Sequence, residues 1–312
     1  MKHFQRRPHH PTGKSSFNDI YDQPHAGPYY RALAPLDYQA PHHAQPIFRR
    51  LAAAVARHRG VAQPTVLDLC AGYGVNAALM NHEVRLKDLY EHYLALPDEA
   101  PLDLLISRDR RYFADARRRP AVARVIAQDV AGQALAYARK AGIVDDTLQV
   151  DFERDDVPDE ALELVRRADL ITVTGGLSYI GPETFGRILS AFPRHRKPWV
   201  ALFPLSHLPM DGLSALFAEF GLTTEIWTAY AFPHRRYRND RERDRLAARF
   251  RNRHARIETP PADDHLEAVF HLARPRAELS APPLSALVEG PGPDAGSRVR
   301  RRLPPAPLEI AR

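Results

Sequence analysis

An acidic residue and two glycines stand where a strand-like run meets a helical one. In residues 66–79, VLDLCAGYGVNAAL, Asp68 is followed by Gly72 and Gly74. Glycines at such a turn let a ligand approach the backbone and the amides of the helix N-terminus. Residues 72–77 also fit G-x-G-x-x-A, the pattern of dinucleotide-binding turns. Because an anion at Asp68 would oppose a pyrophosphate at that helix N-terminus and attract a cation, the segment favours a positively charged ligand.

The same turn resembles the first motif of the class I S-adenosylmethionine-dependent methyltransferases, in which valine and leucine precede D-x-G-x-G-x-G. Cys70 stands here in place of the first glycine. The sulfonium and ammonium groups of S-adenosylmethionine are cations of the kind that the acid favours. The resemblance implies that Asp68, Ala71, Gly72 and Gly74 bind this cofactor.

Three later segments resemble further motifs of the same family, in the same order along 60–273. The resemblance implies that Asp129 binds the ribose hydroxyls and that Val130 packs on adenine. It places Asp151 near the adenine amino group, and Thr174 in a loop that faces both cofactor and substrate. The structural alternatives are a helix N-cap for Asp129 and a strand-terminal surface acid for Asp151.

Strand-like and helical runs alternate between the two ends of the chain, which predicts a parallel sheet with helices on both faces. Together with the resemblance, this indicates an α/β, Rossmann-like, doubly wound and mostly parallel seven-stranded sheet with an antiparallel edge strand. Runs 223–232 and 266–275 are the last predicted strands. An arginine-rich helix is predicted between them, over 241–253.

The predicted domain is residues 51–273, preceded by an N-terminal arm or cap over 1–50 whose first residues are expected to be disordered. The gap from Gly74 to Asp129 is longer than the usual distance of about 20 residues between the turn and that acid. We therefore assign residues 81–120 to a mostly helical insertion. From 274 to 312 proline, glycine and arginine recur without a period, which predicts a disordered tail.

The arm is rich in tyrosine and proline, and it is a candidate lid over the cofactor. Its tyrosines could face a sulfonium through cation–π contacts or could simply be packing residues. Two residues near the ends of later strands, Tyr179 and His207, are candidates to orient or deprotonate a methyl acceptor. Six histidines fall in residues 1–50, but their spacing does not predict a metal site. The candidate lid residues are Tyr21, Tyr29, Tyr30 and Tyr38.

The chain of 312 residues has a formal charge of +6, which raises the question of nucleic-acid binding. The excess is local, since residues 234–256 hold ten arginines against Asp240, Glu242 and Asp244. One cysteine excludes an internal disulfide, and no apolar run has the length of a membrane helix. We therefore expect a cytoplasmic enzyme with no membrane association.

The favoured function is methyl transfer from S-adenosylmethionine to a small molecule, such as a secondary metabolite. The fourth segment lacks the Asn/Asp-Pro-Pro-aromatic tetrad that marks many methylases of amino groups in nucleic acids. Three alternatives stay open. They are an RNA-modifying methyltransferase or RNA-binding relative that uses residues 234–256, an enzyme that cyclises S-adenosylmethionine itself, and an NAD-binding oxidoreductase.

Overall fold

The computed structural model describes residues 20–97, 100–253, 264–279 and 282–289. The predictions for 1–16, for 254–256 and for 290–312 lie outside these residues. The strands are β1 (Thr65–Leu69), β2 (Arg124–Asp129), β3 (Asp146–Gln149), β4 (Leu170–Val173), β5 (Trp199–Leu202), β6 (Leu222–Ile226), β7 (Phe232–Arg236), β8 (His265–Ala268) and β9 (His271–Pro275). The helices are α1 (Gly27–Leu33), α2 (Ala40–Arg59), α3 (Val75–Asn81), α4 (Leu86–Leu94), α5 (Leu102–Asp115), α6 (Gly132–Lys140), α7 (Asp159–Val165), α8 (Pro182–Ser190), α9 (Asp211–Glu219), α10 (Asp240–Arg253) and α11 (Leu284–Val288).

Seven strands form one sheet in the order β3-β2-β1-β4-β5-β9-β6, and the pairs from β3 to β5 are all parallel. β9 runs antiparallel to both of its neighbours. The predicted Rossmann-like α/β architecture is therefore confirmed, with the antiparallel strand one position inside the edge and β6 at the edge itself.

Both faces of the sheet are covered because successive side chains of a strand point to opposite sides. Val66 of β1 belongs to an apolar cluster that includes side chains of α2, α3 and α6. Its neighbour Leu67 belongs to the cluster that includes side chains of α7, α8 and α9. Strands β4 and β5 are buried along their whole length, as is typical of central parallel strands.

The order of the strands reverses at β1. From β1 the chain continues outward through β2 to β3, and it then returns to place β4 on the other side of β1. Open α/β sheets bind ligands in the crevice beyond the carboxyl ends of the strands at such a switch point. The turns that follow β1 and β4 therefore border the expected crevice.

The two last predicted strands are each divided in the structure. Run 223–232 contributes β6 and the first residue of β7, and run 266–275 contributes β8 and β9. β7 and β8 leave the main sheet and pair with each other as a second, two-stranded sheet. This departure places the Phe232 ring 5.3 Å from the Phe203 ring, and Phe232 is buried there.

The C-terminal segment differs from its prediction as far as residue 289. The predicted boundary at 273 falls inside β9, and the chain continues into a 3-10 turn over 276–278 and into α11. Leu287 and Val288 of α11 are buried. Arg50 of α2 donates hydrogen bonds to the carbonyl oxygens of both. Burial of these apolar side chains explains why this part of the tail is ordered.

The N-terminal boundary predicted at residue 50 also falls inside a helix, since α2 is continuous from Ala40 to Arg59. The arm and the sheet therefore share one helix, and α1 packs on α4, which lies in the predicted insertion. Within the described residues, no helix has the length and apolar character needed to cross a membrane.

Candidate functional site

Two cavities border the switch-point crevice. The β2–β3 cavity has a volume of about 240 Å³ and follows the ends of these two strands, and the β1–β4 cavity has a volume of about 50 Å³. Cys70 and Tyr179 line both, so the two cavities meet at these residues. The β2–β3 cavity is lined by Cys70, Gln128, Asp129, Val130, Gln149, Val150, Asp151, Phe152, Glu153, Arg154, Asp155, Tyr179 and Ile180. The β1–β4 cavity is lined by Tyr21, Tyr29, Leu33, Tyr38, Pro41, Cys70, Ala71, Val75, Asn76, Thr174, Gly175, Gly176, Tyr179, His234 and Arg235.

The charges around the β2–β3 cavity are mostly negative. Its lining contains four carboxylates and one arginine, Arg154. Asp129 and Val130 lie at the end of β2, and Asp151 follows the end of β3, so these three predicted residues share one cavity. This balance of charge favours a neutral or cationic ligand over one that carries a pyrophosphate.

Asp129 holds the glycine turn and the start of α6 together. Its carboxylate is 1 % exposed, and it accepts hydrogen bonds from the amides of Gly72, at 2.8 Å, and Ala131, at 2.9 Å. A carboxylate has about four lone-pair positions, so it can accept hydrogen bonds from more than two donors. Asp129 can therefore cap the start of α6 and also bind a ligand.

Gln128 was not singled out by the sequence, yet it connects the turns after three strands. Its side-chain amide donates to the carbonyl oxygen of Val150 at 2.6 Å, and its side-chain oxygen accepts from the Cys70 amide at 3.3 Å. A glutamine inside a buried strand gives a weak sequence signal, because its partners become neighbours only when β1, β2 and β3 pair.

Cys70 takes the backbone conformation of the glycine that it replaces. Its φ is 55°, in the left-handed region that side chains other than glycine rarely adopt. The side chain lies against Gly176, where an added Cβ would stand 2.6 Å from the Cβ of Cys70. The loop after β4 therefore accommodates Cys70 by carrying a glycine at position 176.

The other glycines of the turn also have distinct surroundings. Gly72 has a φ of 54°, and an added Cβ would stand 3.1 Å from the Tyr21 ring. Gly74 has a φ of 75° and faces Ile143 and Val144, so it allows close packing of the turn on the protein. Neither glycine lines the two cavities, whereas Ala71 between β1 and these glycines does.

Asp68 lies behind the wall of the β1–β4 cavity and lines neither cavity. It is 1 % exposed, and it accepts hydrogen bonds from Thr172 at 2.7 Å and from Asn76 at 3.0 Å. The Asn76 amide also donates to Thr174 at 3.1 Å, and both of these residues line the cavity. Asp68 thus orients two cavity-lining side chains, and burial raises its pKa to about 7.

Three of the four candidate lid tyrosines line the β1–β4 cavity. The fourth, Tyr30, stacks on Tyr93 of α4 with ring centroids 4.3 Å apart and does not line it. Tyr38 is buried, its hydroxyl hydrogen-bonds Thr174, and burial holds its pKa well above the usual tyrosine value. The arm therefore forms one side of this cavity.

The second sheet contributes two residues that the sequence placed in the arginine-rich segment 234–256 and not at the crevice. His234 of β7 is 1 % exposed and lines the β1–β4 cavity, with its ring 5.2 Å from the Tyr38 ring. Its neighbour Arg235 forms a buried ion pair with Glu242 at the start of α10, at 2.7 Å. Their place at the crevice was missed because they lie between the predicted strand 223–232 and the predicted helix 241–253, in a segment interpreted as a charged surface.

The two candidate catalytic residues are in different places. Tyr179 lies in the loop after β4, at the junction of the cavities. His207 follows β5, is buried, and lines neither cavity. The structure therefore brings Tyr179, but not His207, to the crevice.

No protein-family model and no curated protein matches this chain. Among solved structures it is similar to magnesium protoporphyrin IX methyltransferase (ChlM) from Synechocystis PCC 6803 with bound S-adenosylmethionine, at 10 % identity and a TM-score of 0.36 over 75 % of this chain and 80 % of that one. It is similar to the plantazolicin methyltransferase BamL in complex with a triazolic desmethylplantazolicin analogue and S-adenosylhomocysteine, at 11 % identity and a TM-score of 0.38 over 74 % and 84 %. A TehB-like S-adenosylmethionine-dependent methyltransferase from Corynebacterium glutamicum is similar at 14 % identity and a TM-score of 0.31 over 72 % and 92 %.

These structural neighbours are S-adenosylmethionine-dependent methyltransferases by their own descriptions. At such low identities and TM-scores we take the fold from the strand order of this chain. We take the chemistry of the crevice from its own residues.

Proposed function

We propose that this protein is an S-adenosylmethionine-dependent methyltransferase that acts on a small molecule. The observation that carries the proposal is the pair of cavities that meet at Cys70 and Tyr179, at the switch point of the sheet. One cavity has the residues to hold a nucleoside, and the other has the residues to hold an acceptor. The cofactor would supply a methyl group bound to a sulfonium sulfur.

On the cofactor side, carboxylates at the ends of two adjacent strands suit the hydroxyl and amino groups of adenosine. Asp129 would accept from the ribose hydroxyls, and Asp151 would accept from the adenine amino group, with Val130 beside the ring. Four carboxylates against one arginine disfavour the pyrophosphate of NAD at the same place. Asp68 lies behind Asn76 and Thr174, and its ionised form, populated above its pKa of about 7, would suit the ammonium and sulfonium groups.

On the acceptor side, Tyr38, Tyr179 and His234 are the polar groups placed to orient an attacking atom. His234 is our candidate for the group that takes the acceptor's proton, because it is buried and lines the cavity. His207 is not proposed for this role, since it lines neither cavity. Holding donor and acceptor in line, with water excluded, is the main contribution that such a site makes to the rate.

Binding of the cofactor tests the proposal directly. Isothermal titration calorimetry with S-adenosylhomocysteine should show one site per chain, and thermal unfolding should shift upward with S-adenosylmethionine but not with NAD. A ligand at about 100 times its Kd stabilises a protein by roughly 2.7 kcal/mol, which is easily measured. Stabilisation by NAD alone would establish the oxidoreductase alternative and contradict the proposal.

A matched pair of variants tests whether the cofactor binds in the β2–β3 cavity. Asp129→Asn should weaken S-adenosylhomocysteine binding, because the carboxylate holds the turn and accepts from the ribose. Asp156→Asn is the control, since Asp156 is exposed and lines neither cavity. Equal effects of the two variants would show that the β2–β3 cavity is not the binding site.

Product analysis separates methyl transfer from the other chemistries. Incubation with S-adenosylmethionine and a panel of small acceptors that carry hydroxyl, carboxyl or amino groups should yield S-adenosylhomocysteine and a product heavier by one methylene. Methylthioadenosine instead would indicate cyclisation of the cofactor. Acceptance of RNA but of no small molecule would indicate the RNA-modifying alternative, and retention on heparin that falls steeply with salt would accompany it.

A further inference from the structure

Residues 20–23 of the arm form a short bridge across the candidate cofactor turn. The Tyr21 ring lies on Gly72, 3.1 Å from the position of an added Cβ. The two residues that follow Tyr21 make four hydrogen bonds to the body of the protein. We call residues 20–23 the latch.

One pair of these bonds joins the latch to the start of α6. The amide of Gln133 donates to the Asp22 carboxylate at 2.7 Å, and the Gln133 side chain donates to the Asp22 carbonyl at 2.6 Å. Gln133 lies in the first turn of its helix, where backbone amides have no acceptor within the helix. Asp22 supplies that acceptor from the arm, with its own backbone at a φ of 58°.

The second pair joins the latch to the glycine turn itself. The Tyr73 hydroxyl accepts from the Gln23 amide at 2.9 Å and donates to the Gln23 carbonyl at 3.0 Å. Tyr73 stands between Gly72 and Gly74. The residue at the centre of the candidate cofactor turn is therefore the one that fastens the arm over it.

The part of the arm that follows residue 23 is fastened elsewhere, on the predicted insertion. Tyr30 of α1 stacks on Tyr93 of α4, and Tyr90 of α4 donates to the carbonyl oxygen of Tyr38 at 3.3 Å. Tyr93 in turn donates to Asp109 of α5, which is 0 % exposed. The bond between Tyr93 and Asp109 is buried, and the bond from Tyr90 is part-buried, as are the two bonds between Gln23 and Tyr73. The bonds between Asp22 and Gln133 are exposed.

The space left beneath the closed arm is small. The β1–β4 cavity measures about 50 Å³, against about 240 Å³ for the β2–β3 cavity. Tyr21 is the part of the wall that covers Gly72, so the latch must move for a ligand to pass over the turn.

We propose that residues 20–23 are a gate held shut by Gln133 and Tyr73, and that the insertion anchors the part of the arm after residue 23, so that the gate opens without it. Asp22 and Gln23 are then positioning residues that hold Tyr21 over the turn. The inference rests on the proposed function for the identity of the ligand. Apparent affinity for that ligand is reduced by the fraction of molecules in which the gate is closed.

Binding kinetics test the gate, with S-adenosylhomocysteine as the probe and stopped-flow or surface plasmon resonance as the method. Gln133→Ala and Tyr73→Phe should each raise the association rate roughly 2- to 10-fold, the factor that corresponds to one or two hydrogen bonds. The dissociation rate should stay within about 2-fold, because the closed gate and the ligand compete for the same turn. Tyr90→Phe is the matched control, because it removes a tyrosine hydroxyl from the anchored part of the arm and should leave the association rate unchanged.

Hydrogen exchange at the Gln133 amide tests the gate without any ligand. The amide is protected by Asp22, so Tyr73→Phe should speed its exchange by the same factor as it speeds association, and Tyr90→Phe should not. Unchanged exchange and association in Tyr73→Phe would overturn the gate. An equal increase of both rates in Tyr90→Phe would contradict the inference that the latch opens independently of the part of the arm that is anchored on the insertion.

If the unmodified protein binds no S-adenosylhomocysteine, the proposed function is wrong. In that case the hydrogen-exchange measurement still tests whether residues 20–23 open as a gate.

Discussion

Cys70 and Gly176 show how one substitution in a turn is matched by a residue on another strand's loop. The turn requires a left-handed backbone at position 70, and a side chain there must have somewhere to go. Gly176 provides that space, since an added Cβ would meet both Cβ and Sγ of Cys70 at under 3 Å. The two positions therefore constrain each other.

This coupling predicts a non-additive pair of variants. Gly176→Ala should lower the free energy of unfolding by about 1–3 kcal/mol through overpacking. In the Cys70→Gly background the same change should cost much less, because the clash is gone. Urea denaturation of the four proteins measures the coupling, and Gly212→Ala, where an added Cβ meets nothing within 4 Å, is the control. Additive effects would mean that the two residues do not contact.

Asp68 predicts a pH dependence of stability with a definite sign. Its pKa is about 7 in the folded protein, against an ordinary value of 3.8, because it is buried. A folded state that holds a proton more tightly than the unfolded state loses stability as pH rises between these two values. The unmodified protein should therefore lose stability relative to Asp68→Asn between pH 4 and pH 7. Denaturation midpoints at pH 5 and pH 8 check this, and a constant difference between the two proteins would contradict it.

At the scale of elements, Asp109 is the point where the insertion joins the core. It accepts from His92 at 2.7 Å, from Tyr93 at 2.6 Å and from Tyr137 of α6 at 2.5 Å. Burial raises the pKa of both tyrosines, so their hydroxyls stay protonated and donate. One carboxylate thus ties α4 and α5 to α6.

Removing that carboxylate should loosen the insertion. Asp109→Ala leaves three buried donors without their acceptor, and we expect a loss of roughly 3 kcal/mol in the free energy of unfolding. Asp103→Ala in the same helix is exposed and should change it by less than about 0.5 kcal/mol. Urea denaturation compares the two. Similar losses of unfolding free energy in both variants would show that Asp109 contributes no more to stability than an exposed carboxylate.

The packing of α11 gives a second prediction for an element. Leu287 is 2 % exposed, so Leu287→Ala should destabilise the protein by about 2–4 kcal/mol. Ser285→Ala on the exposed side of the same helix should be close to neutral. Thermal unfolding of both variants is the measurement. A neutral Leu287→Ala would mean that α11 does not stabilise the domain.

The sequence predicted the elements whose signals are local and missed those that depend on partners. The apolar runs of β1 to β5, the glycine turn and the family resemblance together predicted the sheet. The second sheet could not be predicted, because β8 shares one apolar run with β9 and most of β7 lies in the arginine-rich segment 234–256. His234 was missed for the same reason. α11 was missed because a helix of five residues depends on contacts with distant parts of the chain, such as the bonds from Arg50 of α2.

At the scale of the whole molecule, buried histidines set the response to acid. Burial lowers the pKa of His82 and of His271 to about 4, against an ordinary value of 6.5. Stability that depends on neutral histidine is present above pH 6.5 and is lost as pH falls towards 4. This trend is opposite to that of Asp68, so the stability profile should have its maximum near pH 6.5 to 7.

A histidine variant checks the acid side of that profile. His271→Leu keeps a side chain of similar volume and removes the buried titratable group, so the protein should lose less stability between pH 7 and pH 5. His195→Gln, at an exposed position, should follow the unmodified protein. Denaturation at the two pH values distinguishes them. An unaltered acid response in His271→Leu would show that this residue does not titrate on unfolding.

The place of β9 in the sheet has a consequence for the order in which the protein is made. β9 lies between β5 and β6, and it comes from residues 271–275, some 45 residues after β6 ends. A ribosome that has released β1 to β6 has therefore produced a sheet with a gap where its penultimate strand belongs. Facing edges of β5 and β6 stay open until that strand emerges, so nascent chains are exposed to mispairing late in synthesis.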